Sequence, residues 1–230
     1  MPPIRVLVGV APTSNRRVDA VVIGISTGGP KALTEMLPRL PADLAVPVLV
    51  VQHMPPLFTK ALADRLDSLS SLRVAEAAEG DVVEPGSVLI APGDRHLLVA
   101  RTAGSVVAHL TEDPPENSCR PAADPLFRSA ARVWGPGVLA VVMTGMGHDG
   151  CIGAGVVREN GGSVLAQDEA TSVVWGMPGF VARAGLADAV VSLDEIAPEI
   201  TARVARNRIL GRPSAVRSAL VASPESACAT

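Results

Sequence analysis

The stretch that decides the fold of this chain is VVIGISTGGP, which occupies residues 21–30. Its first part is an apolar, β-branched run, which is typical of a short buried strand. Pro30 follows two glycines and suits the first turn of a helix, where its missing N–H is not needed. Ser26 is therefore predicted to lie at a tight crossing from a strand to a helix, at the sheet edge where open α/β folds bind ligands.

The same segment fits the G-x-S-x-G pattern of a nucleophile elbow over residues 24–28. A helix N-terminus beside Ser26 would favour the negative charge that develops during acyl transfer. Glycine-rich turns of this kind also serve only to turn the chain or to hold a phosphate. The residues alone therefore leave open both a nucleophilic Ser26 and one with a purely structural role.

The composition favours an α/β domain and argues against nucleic acid as a partner. Hydrophobic residues make up 48% of the 230 residues, but aromatic residues only 2%. The core is therefore expected to consist of aliphatic side chains, as in a parallel sheet buried on both faces. A net charge of -3 and so few aromatic rings do not fit a surface that binds phosphates or stacks bases.

The cysteines, together with the absence of long apolar runs, indicate a cellular location. Cys119, Cys151 and Cys228 are far apart and show no metal-binding or redox spacing. Free thiols are expected in a reducing compartment, and no apolar run approaches the length of a membrane span. The sequence therefore predicts a cytoplasmic location.

Strands alternate with helices along most of the chain. Short apolar runs end in glycine- or proline-rich turns and are followed by helical patterns, which predicts right-handed βαβ units. Two further apolar runs flank the turn at 102–105, which predicts a hairpin over residues 95–110. The expected fold is an α/β, doubly wound, mostly parallel sheet with helices on both faces and an antiparallel β-hairpin at one edge.

Three of the predicted strands end beside a residue that can take part in nucleophilic catalysis: Ser26, His53 and Asp149. Because parallel strands bring their carboxyl ends to one edge, these side chains are expected to meet there. An imidazole can take the serine proton, and a carboxylate can fix the imidazole tautomer. The backbone amides of residues 144–147 are candidates for the donors that stabilise an oxyanion.

Each of these residues also has a structural interpretation. His53 could cap a turn, and Asp149 could be the N-cap of the helix that follows it. His148 competes with His53 as the base, but the side chains of sequence neighbours such as His148 and Asp149 are expected to diverge. His96 and His109, on or beside the hairpin, are expected to be solvated.

Two other α/β folds fit the sequence less well. An α/β-hydrolase has its serine in mid-chain, followed by the acid and then the histidine, whereas Ser26 follows the first core strand and His53 precedes Asp149. A dinucleotide-binding turn would need the full G-x-G-x-x-G pattern, which is missing. It would also need an acidic residue at the end of the second strand, where His53 stands.

Five segments resemble, in order, the catalytic domain of CheB-type protein-glutamate methylesterases. They are IGISTGG at 23–29, QHMPP at 52–56, IAPGDRH at 90–96, TGMGHDG at 144–150 and the stretch 167–178. The resemblance covers residues 19 to about 205 and implies a doubly wound α/β fold with an edge hairpin.

The same resemblance implies roles for individual residues. Ser26, His53 and Asp149 correspond to a catalytic Ser-His-Asp triad. An oxyanion donor falls on the backbone amide of Met146, and the residues around the reacting atoms include Thr27 and Gly147 as well. The stretch 167–178 would form a wall of the active site, although a packed turn explains it equally well.

The function implied by the resemblance is that of a serine hydrolase. It would remove methyl esters from glutamate side chains of chemoreceptor-like proteins and release methanol, and the same acyl chemistry would deamidate receptor glutamine. The implied partner is the methylated cytoplasmic helical domain of such a receptor. Nucleic acid, membrane insertion, a metal and a cofactor are not implied. The alternative is a non-catalytic binding or regulatory module of the same fold that uses the glycine-rich Ser26 turn.

The chain departs from the family pattern in three places. Residues 1–18 are interpreted as a leader or linker in place of a phosphoacceptor receiver domain, so control would fall to a separate receiver protein. His148 stands where Asn is usual, and the loop 117–121, which contains Cys119, lacks the histidine that is common there. These changes leave the triad complete but put the identity of the substrate in question.

The resulting division of the chain has three parts. Residues 1–18 are the leader or linker, and residues 19–208 are the methylesterase catalytic domain. Residues 209–230 are rich in Ser, Ala and Pro and are expected to form a disordered tail.

Overall fold

The computed structural model describes residues 17–210, with side chains up to residue 206. The strands are β1 (Ala20–Ile25), β2 (Val48–Gln52), β3 (Arg73–Glu76), β4 (Ser87–Ile90), β5 (His96–Thr102), β6 (Ser105–Thr111), β7 (Val138–Val142), β8 (Ser163–Gln167) and β9 (Ala189–Val191). The helices are α1 (Gly29–Met36), α2 (Phe58–Leu69), α3 (Ala123–Trp134), α4 (Cys151–Glu159), α5 (Met177–Arg183) and α6 (Leu193–Leu210). Short 3-10 turns follow α1 at Leu37–Arg39 and α3 at Gly135–Gly137.

In the described part of the chain, seven strands form one parallel sheet in the order β3-β4-β2-β1-β7-β8-β9. β1 lies at its centre, and all six of its residues are buried. The register pairs Ile25 of β1 with Gln52 of β2, and Gly24 with Val142 of β7. The loops that follow these three strands therefore emerge side by side at the carboxyl edge of the sheet.

Each face of the sheet is covered by three helices. Helices α1, α2 and α6 pack on one face and contribute Leu33, Leu66 and Ile200 to its core. Helices α3, α4 and α5 pack on the other, where Phe127 is the largest fully buried side chain. Because successive strand residues point to opposite faces, the continuous apolar runs of the strands serve both cores. The doubly wound α/β fold predicted from the sequence is thus confirmed.

The predicted antiparallel hairpin is present, and it forms a sheet of its own. β5 and β6 pair antiparallel as a separate two-stranded sheet and do not extend an edge of the main sheet. Leu97, Val99 and Ala108 of the hairpin belong to the same core cluster as Leu126 and Phe127 of α3. The hairpin buries its apolar face against this helix, and β6 also hydrogen-bonds to residues 80–83, which lie between β3 and β4.

The expectation for His96 was wrong. This side chain is 1% exposed, its Nδ1 accepts the N–H of Ala122 at 3.2 Å, and its Nε2 lies 3.2 Å from the carbonyl oxygen of Pro114. A pattern of alternating residues cannot reveal that a loop will fold back over the start of the hairpin. His109, by contrast, is exposed, as the sequence predicted.

Most of the predicted leader and tail lies outside the described residues. The last helix, α6, runs from Leu193 to Leu210, so it enters the region assigned to the tail. None of the helices within residues 17–210 is both long and apolar enough to cross a bilayer.

Candidate active site

His53 and Asp149 form the polar centre of the carboxyl edge. His53 directly follows β2, and its backbone N–H donates to the carbonyl of Ile25 at 3.1 Å. Asp149 lies in the loop between β7 and α4 and is 2% exposed. The imidazole Nε2 is 2.7 Å from Asp149 Oδ2, so the fold brings together two of the three side chains predicted to meet.

The carboxylate of Asp149 accepts four further hydrogen bonds. Oδ2 accepts the backbone N–H of Ala123 at 2.6 Å, and Oδ1 accepts Asn117 Nδ2 at 2.9 Å. Oδ1 also accepts the backbone N–H groups of Gly150 at 2.9 Å and of Asp124 at 3.2 Å. Two of these donors belong to the first turn of α3, so Asp149 caps that helix as well as contacting the N-cap Gly150 of α4.

These contacts set the protonation of the site. Burial alone would raise the pKa of Asp149, but the hydrogen bonds from His53 and the Ala123 N–H outweigh it and hold that pKa below its ordinary value. Burial raises the pKa of Asp124, a second buried carboxyl, and the charge of Asp149 adds to the rise. Asn117 Nδ2 donates to both carboxyls, at 2.9 Å each. The lowered pKa keeps Asp149 charged, and a charged carboxylate against Nε2 favours the tautomer of His53 that carries its proton there.

The other ring nitrogen of His53 faces a thiol. Cys119 Sγ lies 3.5 Å from Nδ1. Burial raises the pKa of the Cys119 thiol, and the charge of Asp149 raises it further, so the sulfur stays protonated. The sequence flagged Cys119 only as a departure from the family pattern. Its contact with the ring was missed, because the loop that carries it reaches the site only through the fold.

Ser26 has a fixed backbone and a free hydroxyl. Its N–H donates to the carbonyl of Thr144 at 2.9 Å, and its own carbonyl accepts the N–H of Gly29 at 2.8 Å and Gln52 Nε2 at 3.1 Å. Within the described residues, Ser26 Oγ forms no hydrogen bond. The ring of His53, which follows the neighbouring strand, is therefore not yet engaged by the serine hydroxyl.

The loop after β7 approaches Ser26 closely because residue 145 is a glycine. A Cβ on Gly145 would lie 2.7 Å from the Cβ of Ser26 and 2.4 Å from the Sδ of Met177. Both contacts are shorter than real Cβ atoms tolerate. No residue with a side chain could bring this loop so near to the hydroxyl.

The stretch 167–178 packs against the same loop. Gln167 Oε1 accepts the N–H of Thr144 at 2.9 Å, and Thr144 Oγ1 accepts the N–H of Val174 at 3.1 Å. The N–H of Gly145 donates to the carbonyl of Val174 at 2.9 Å. The stretch is therefore both a tightly bonded turn and a wall beside the Ser26 loop.

Three backbone amides near Ser26 are available to a ligand. The amides of Thr27, Met146 and Gly147 donate to no other residue within the described range, and the side chain of Met146 is 71% exposed. Thr144 Oγ1 donates to the carbonyl of Thr27 at 2.9 Å, which ties the two loops together. Of the amides of residues 144–147 that the sequence put forward as oxyanion donors, those of Thr144 and Gly145 already donate to Gln167 Oε1 and to the carbonyl of Val174, which leaves Met146 and Gly147 as candidates beside Thr27.

His148 does not reach the centre of the site. It is exposed, and its ring meets the ring of Phe180 edge-on, with centroids 5.7 Å apart. Asp149 receives its imidazole contact from His53 instead. Among the residues that the structure describes, no group of three or more His, Cys, Asp or Glu side chains could hold a metal ion.

Comparison with known proteins gives one consistent result. The family model described as CheB methylesterase matches residues 21–200. A protein-glutamate methylesterase/protein-glutamine glutaminase of Nocardioides sp. is 56% identical over 212 residues, which cover 87% of this chain and 58% of the relative. A relative of the same description from Caulobacter vibrioides is 54% identical over 187 residues, covering 81% and 54% of the two chains.

The crystal structure of the Thermotoga maritima CheB methylesterase catalytic domain superimposes with a TM-score of 0.79 at 46% identity. The match covers 80% of this chain and 98% of the Thermotoga chain. The chain thus spans little more than half the length of the curated relatives named above but nearly all of a solved catalytic domain. The family model, the curated relatives and the solved structure agree, and the chain belongs to the CheB methylesterase family.

Proposed function

We propose that Ser26, His53 and Asp149 act as nucleophile, base and orienting carboxylate in the hydrolysis of glutamyl methyl esters. The observation that carries this proposal is the 2.7 Å contact between His53 Nε2 and a buried, charged Asp149, formed on the strand next to Ser26. A carboxylate in this position fixes the tautomer of the ring and stabilises the imidazolium that forms during acyl transfer. It leaves Nδ1 as the basic nitrogen.

In the first half-reaction Ser26 Oγ attacks the ester carbonyl while its proton passes to Nδ1 of His53. The negative charge on the resulting tetrahedral oxyanion is stabilised by backbone amides, for which Thr27, Met146 and Gly147 are available. The tetrahedral species then collapses, the C–O bond to the methoxy group breaks, and Nδ1–H protonates the leaving group to give methanol. The product is a glutamyl ester of Ser26.

In the second half-reaction water attacks the acyl-enzyme while Nδ1 takes one of its protons. The second collapse returns that proton to Ser26 Oγ and releases the glutamate side chain. A glutamine amide can follow the same route, with ammonia as the first leaving group instead of methanol. No step needs a metal or an organic cofactor.

The surface around the site supports a protein substrate. Large apolar side chains are exposed on both sides of it: Leu57 and Phe58 are 86% and 62% exposed, and Met146, Val173 and Phe180 are 71%, 64% and 44% exposed. Exposed apolar groups concentrated at one site are typical of surfaces that bind another protein. We propose that they receive the methylated cytoplasmic helical domain of a chemoreceptor-like protein, in the cytoplasm.

The test compares wild type, Ser26→Ala and Cys119→Ala on a purified, methylated receptor cytoplasmic fragment. Methanol release is expected from wild type and not from Ser26→Ala. Labelling by a fluorophosphonate, which reacts with activated serine, is expected in wild type and Cys119→Ala, and is expected to be lost in His53→Ala. The Cys119→Ala variant excludes the neighbouring thiol as the labelled nucleophile.

Equal methanol release by wild type and Ser26→Ala would remove Ser26 from the mechanism. An unreactive Ser26 in a chain that still binds the receptor fragment would favour the alternative, a non-catalytic binding module. Ammonia release from a fragment with glutamine at the methylation positions tests the deamidase reaction separately.

A further inference from the structure

Gln52 lies between the proposed nucleophile and the proposed base without touching the reacting atoms of either. It is the last residue of β2, it precedes His53, and it is 2% exposed. Its Nε2 donates to the carbonyl oxygen of Ser26 at 3.1 Å and to that of His53 at 3.0 Å. A single side-chain amide nitrogen, using both of its N–H groups, therefore links the backbones of the two residues.

The other end of the same amide has no partner. Gln52 Oε1 is a buried atom that makes no hydrogen bond, and no second buried side-chain atom within the described residues shares that condition. Turning the amide over would set its oxygen against the carbonyl oxygens of Ser26 and His53, so the observed orientation is the favourable one. A buried acceptor without a donor costs stability, which calls for an explanation in terms of function.

The local sequence accommodates this amide. A Cβ on Gly29 would lie 1.9 Å from Gln52 Oε1 and 2.9 Å from its Cδ, so a glycine is required beneath the side chain. The N–H of Gly29 donates to the same Ser26 carbonyl that Gln52 holds, at 2.8 Å. The backbone of Ser26 is therefore clamped by donors from α1 and β2 together.

Packing alone does not explain a glutamine at this position. The other four residues of β2, Val48–Val51, are apolar and fully buried, and an apolar residue at position 52 would leave no unpaired oxygen. The polar side chain is placed where the strands that carry Ser26 and His53 end side by side. Compared with an apolar side chain, the glutamine amide adds a hydrogen-bonded link between these two strand ends.

We infer that Gln52 is a positioning residue, which holds Ser26 and His53 in the relative geometry that proton transfer between them requires. This inference rests on the proposed function. Acyl transfer depends steeply on such geometry, and a misplacement of about 1 Å can cost roughly 10²-fold in rate. The amide acts through the two backbones and contacts no substrate.

The experiment replaces Gln52 by Met, which has similar length and volume but lacks both the donor and the unpaired oxygen. Steady-state methanol release is measured with methylated receptor fragment, together with thermal denaturation. We expect kcat to fall on the order of 10²-fold with KM unchanged, because the exposed surface that meets the substrate is untouched. The melting temperature should stay near that of wild type, since two hydrogen bonds are lost and one unpaired acceptor is removed.

Ser129→Ala is the matched control. Ser129 is a buried polar residue on α3, and its Oγ accepts the N–H of Val99 at 3.1 Å in the hairpin. Its loss should lower the melting temperature and leave kcat at wild-type level well below that temperature. If Gln52 contributed to stability alone, Gln52→Met would likewise show a lower melting temperature and a wild-type kcat.

A folded Gln52→Met enzyme with wild-type kcat overturns the inference. If that variant does not fold, Gln52→Asn decides the matter, since its amide is one methylene shorter and cannot bridge both carbonyls. A wild-type kcat in Gln52→Asn would also overturn the inference. A failed inference leaves wild type active and labelled at Ser26, whereas a failed proposed function leaves wild type itself inactive and unlabelled.

Discussion

At the scale of single residues, Asp149 determines the electrostatics of the site. It accepts N–H groups from five residues: His53, Asn117, Ala123, Asp124 and Gly150. Each of these donors favours the charged carboxylate over the protonated one, and together they outweigh the effect of burial on its pKa. The same residue therefore anchors the imidazole and two helix N-termini.

The lowered pKa of Asp149 predicts how stability depends on pH. A carboxyl whose pKa is lower in the folded state contributes stability that is complete above the unfolded pKa, about 3.9. That contribution is lost as the pH falls through the lower folded value. In Asp149→Asn the loss of stability at acid pH should be smaller, because the titrating carboxyl is gone. Stability at neutral pH should drop by about 1–3 kcal/mol, because an amide cannot accept from all five donors.

Urea denaturation of both proteins across the acid range measures this difference. Asp64→Asn is the control, because the Asp64 side chain is 62% exposed and, among residues 17–206, pairs only with Lys60, and such surface pairs contribute about 0–1 kcal/mol. Asp149→Asn also removes the charge of Asp149, which helps to raise the pKa of Asp124. This change offsets part of the loss of stability at neutral pH. Parallel pH curves for wild type and Asp149→Asn would contradict the prediction.

At the scale of structural elements, the site depends on how closely the loops after β1 and β7 approach each other. Gly145 makes that approach possible, because any side chain on it would collide with Ser26 and Met177. The loop is held in place by hydrogen bonds to the stretch 167–178 and to the Ser26 loop. Widening the gap would move the Met146 and Gly147 amides away from the serine.

Gly145→Ala should therefore lower both activity and stability. Overpacking of this kind costs about 1–3 kcal/mol, and methanol release should fall because the amides proposed as oxyanion donors are displaced. Gly155→Ala is the control, since a Cβ on this glycine within α4 meets no atom within 4 Å. It should raise stability by roughly 0.5–1 kcal/mol, because alanine favours a helix interior. Thermal denaturation measures the stability of the two variants, and methanol release measures their activity. Equal stability and equal activity in Gly145→Ala and Gly155→Ala would refute the role of Gly145.

At the scale of the whole molecule, the seven-stranded sheet and the hairpin are distinct units. β1 is buried along its whole length and pairs with strands on both sides. The hairpin is a separate sheet whose strand β6 has mostly half-exposed residues. Local opening follows such differences in burial, so parts of one domain can open with different free energies.

Hydrogen exchange followed by mass spectrometry should resolve these units. Amides of β1 and β7 should exchange slowest, close to the rate set by global unfolding. Amides of the hairpin should exchange faster, because it is a separate sheet, and breaking its contacts with α3 and residues 80–83 leaves the pairing of the main sheet intact. Equal protection of β1 and the hairpin at all denaturant concentrations would mean that the two form one cooperative unit.

Much of this organisation could be predicted from the sequence. Apolar runs that end in glycine- or proline-rich turns indicated the alternation of buried strands and helices, because a parallel sheet covered on both faces needs continuous apolar segments. The placement of Ser26, His53 and Asp149 at one edge followed from the same pattern, since parallel strands end on the same side. The contact between His53 and Asp149 is the structural counterpart of that prediction.

Other contacts could not be predicted, because they depend on side chains and loops that meet only after folding. Cys119 against the ring of His53 and the burial of His96 both arise from the segment between β6 and α3 folding back over the sheet edge. The bridge from Gln52 to two carbonyls needs the register of β1 and β2 to within one residue. Periodicity does not carry such information.

The sequence by itself determined which strand ends carry the serine, the histidine and the aspartate, because hydrophobic runs and glycine-rich turns are local patterns set by backbone geometry and burial. Only the tertiary structure decided how these groups are oriented and held, and that the pKa of Asp149 is lowered. The pKa of Asp149, the tautomer of His53 and the clamp on Ser26 depend on donors from α3, from the loop 117–121 and from the neighbouring strand. Those donors come within hydrogen-bond distance only when the sheet and its helices have packed.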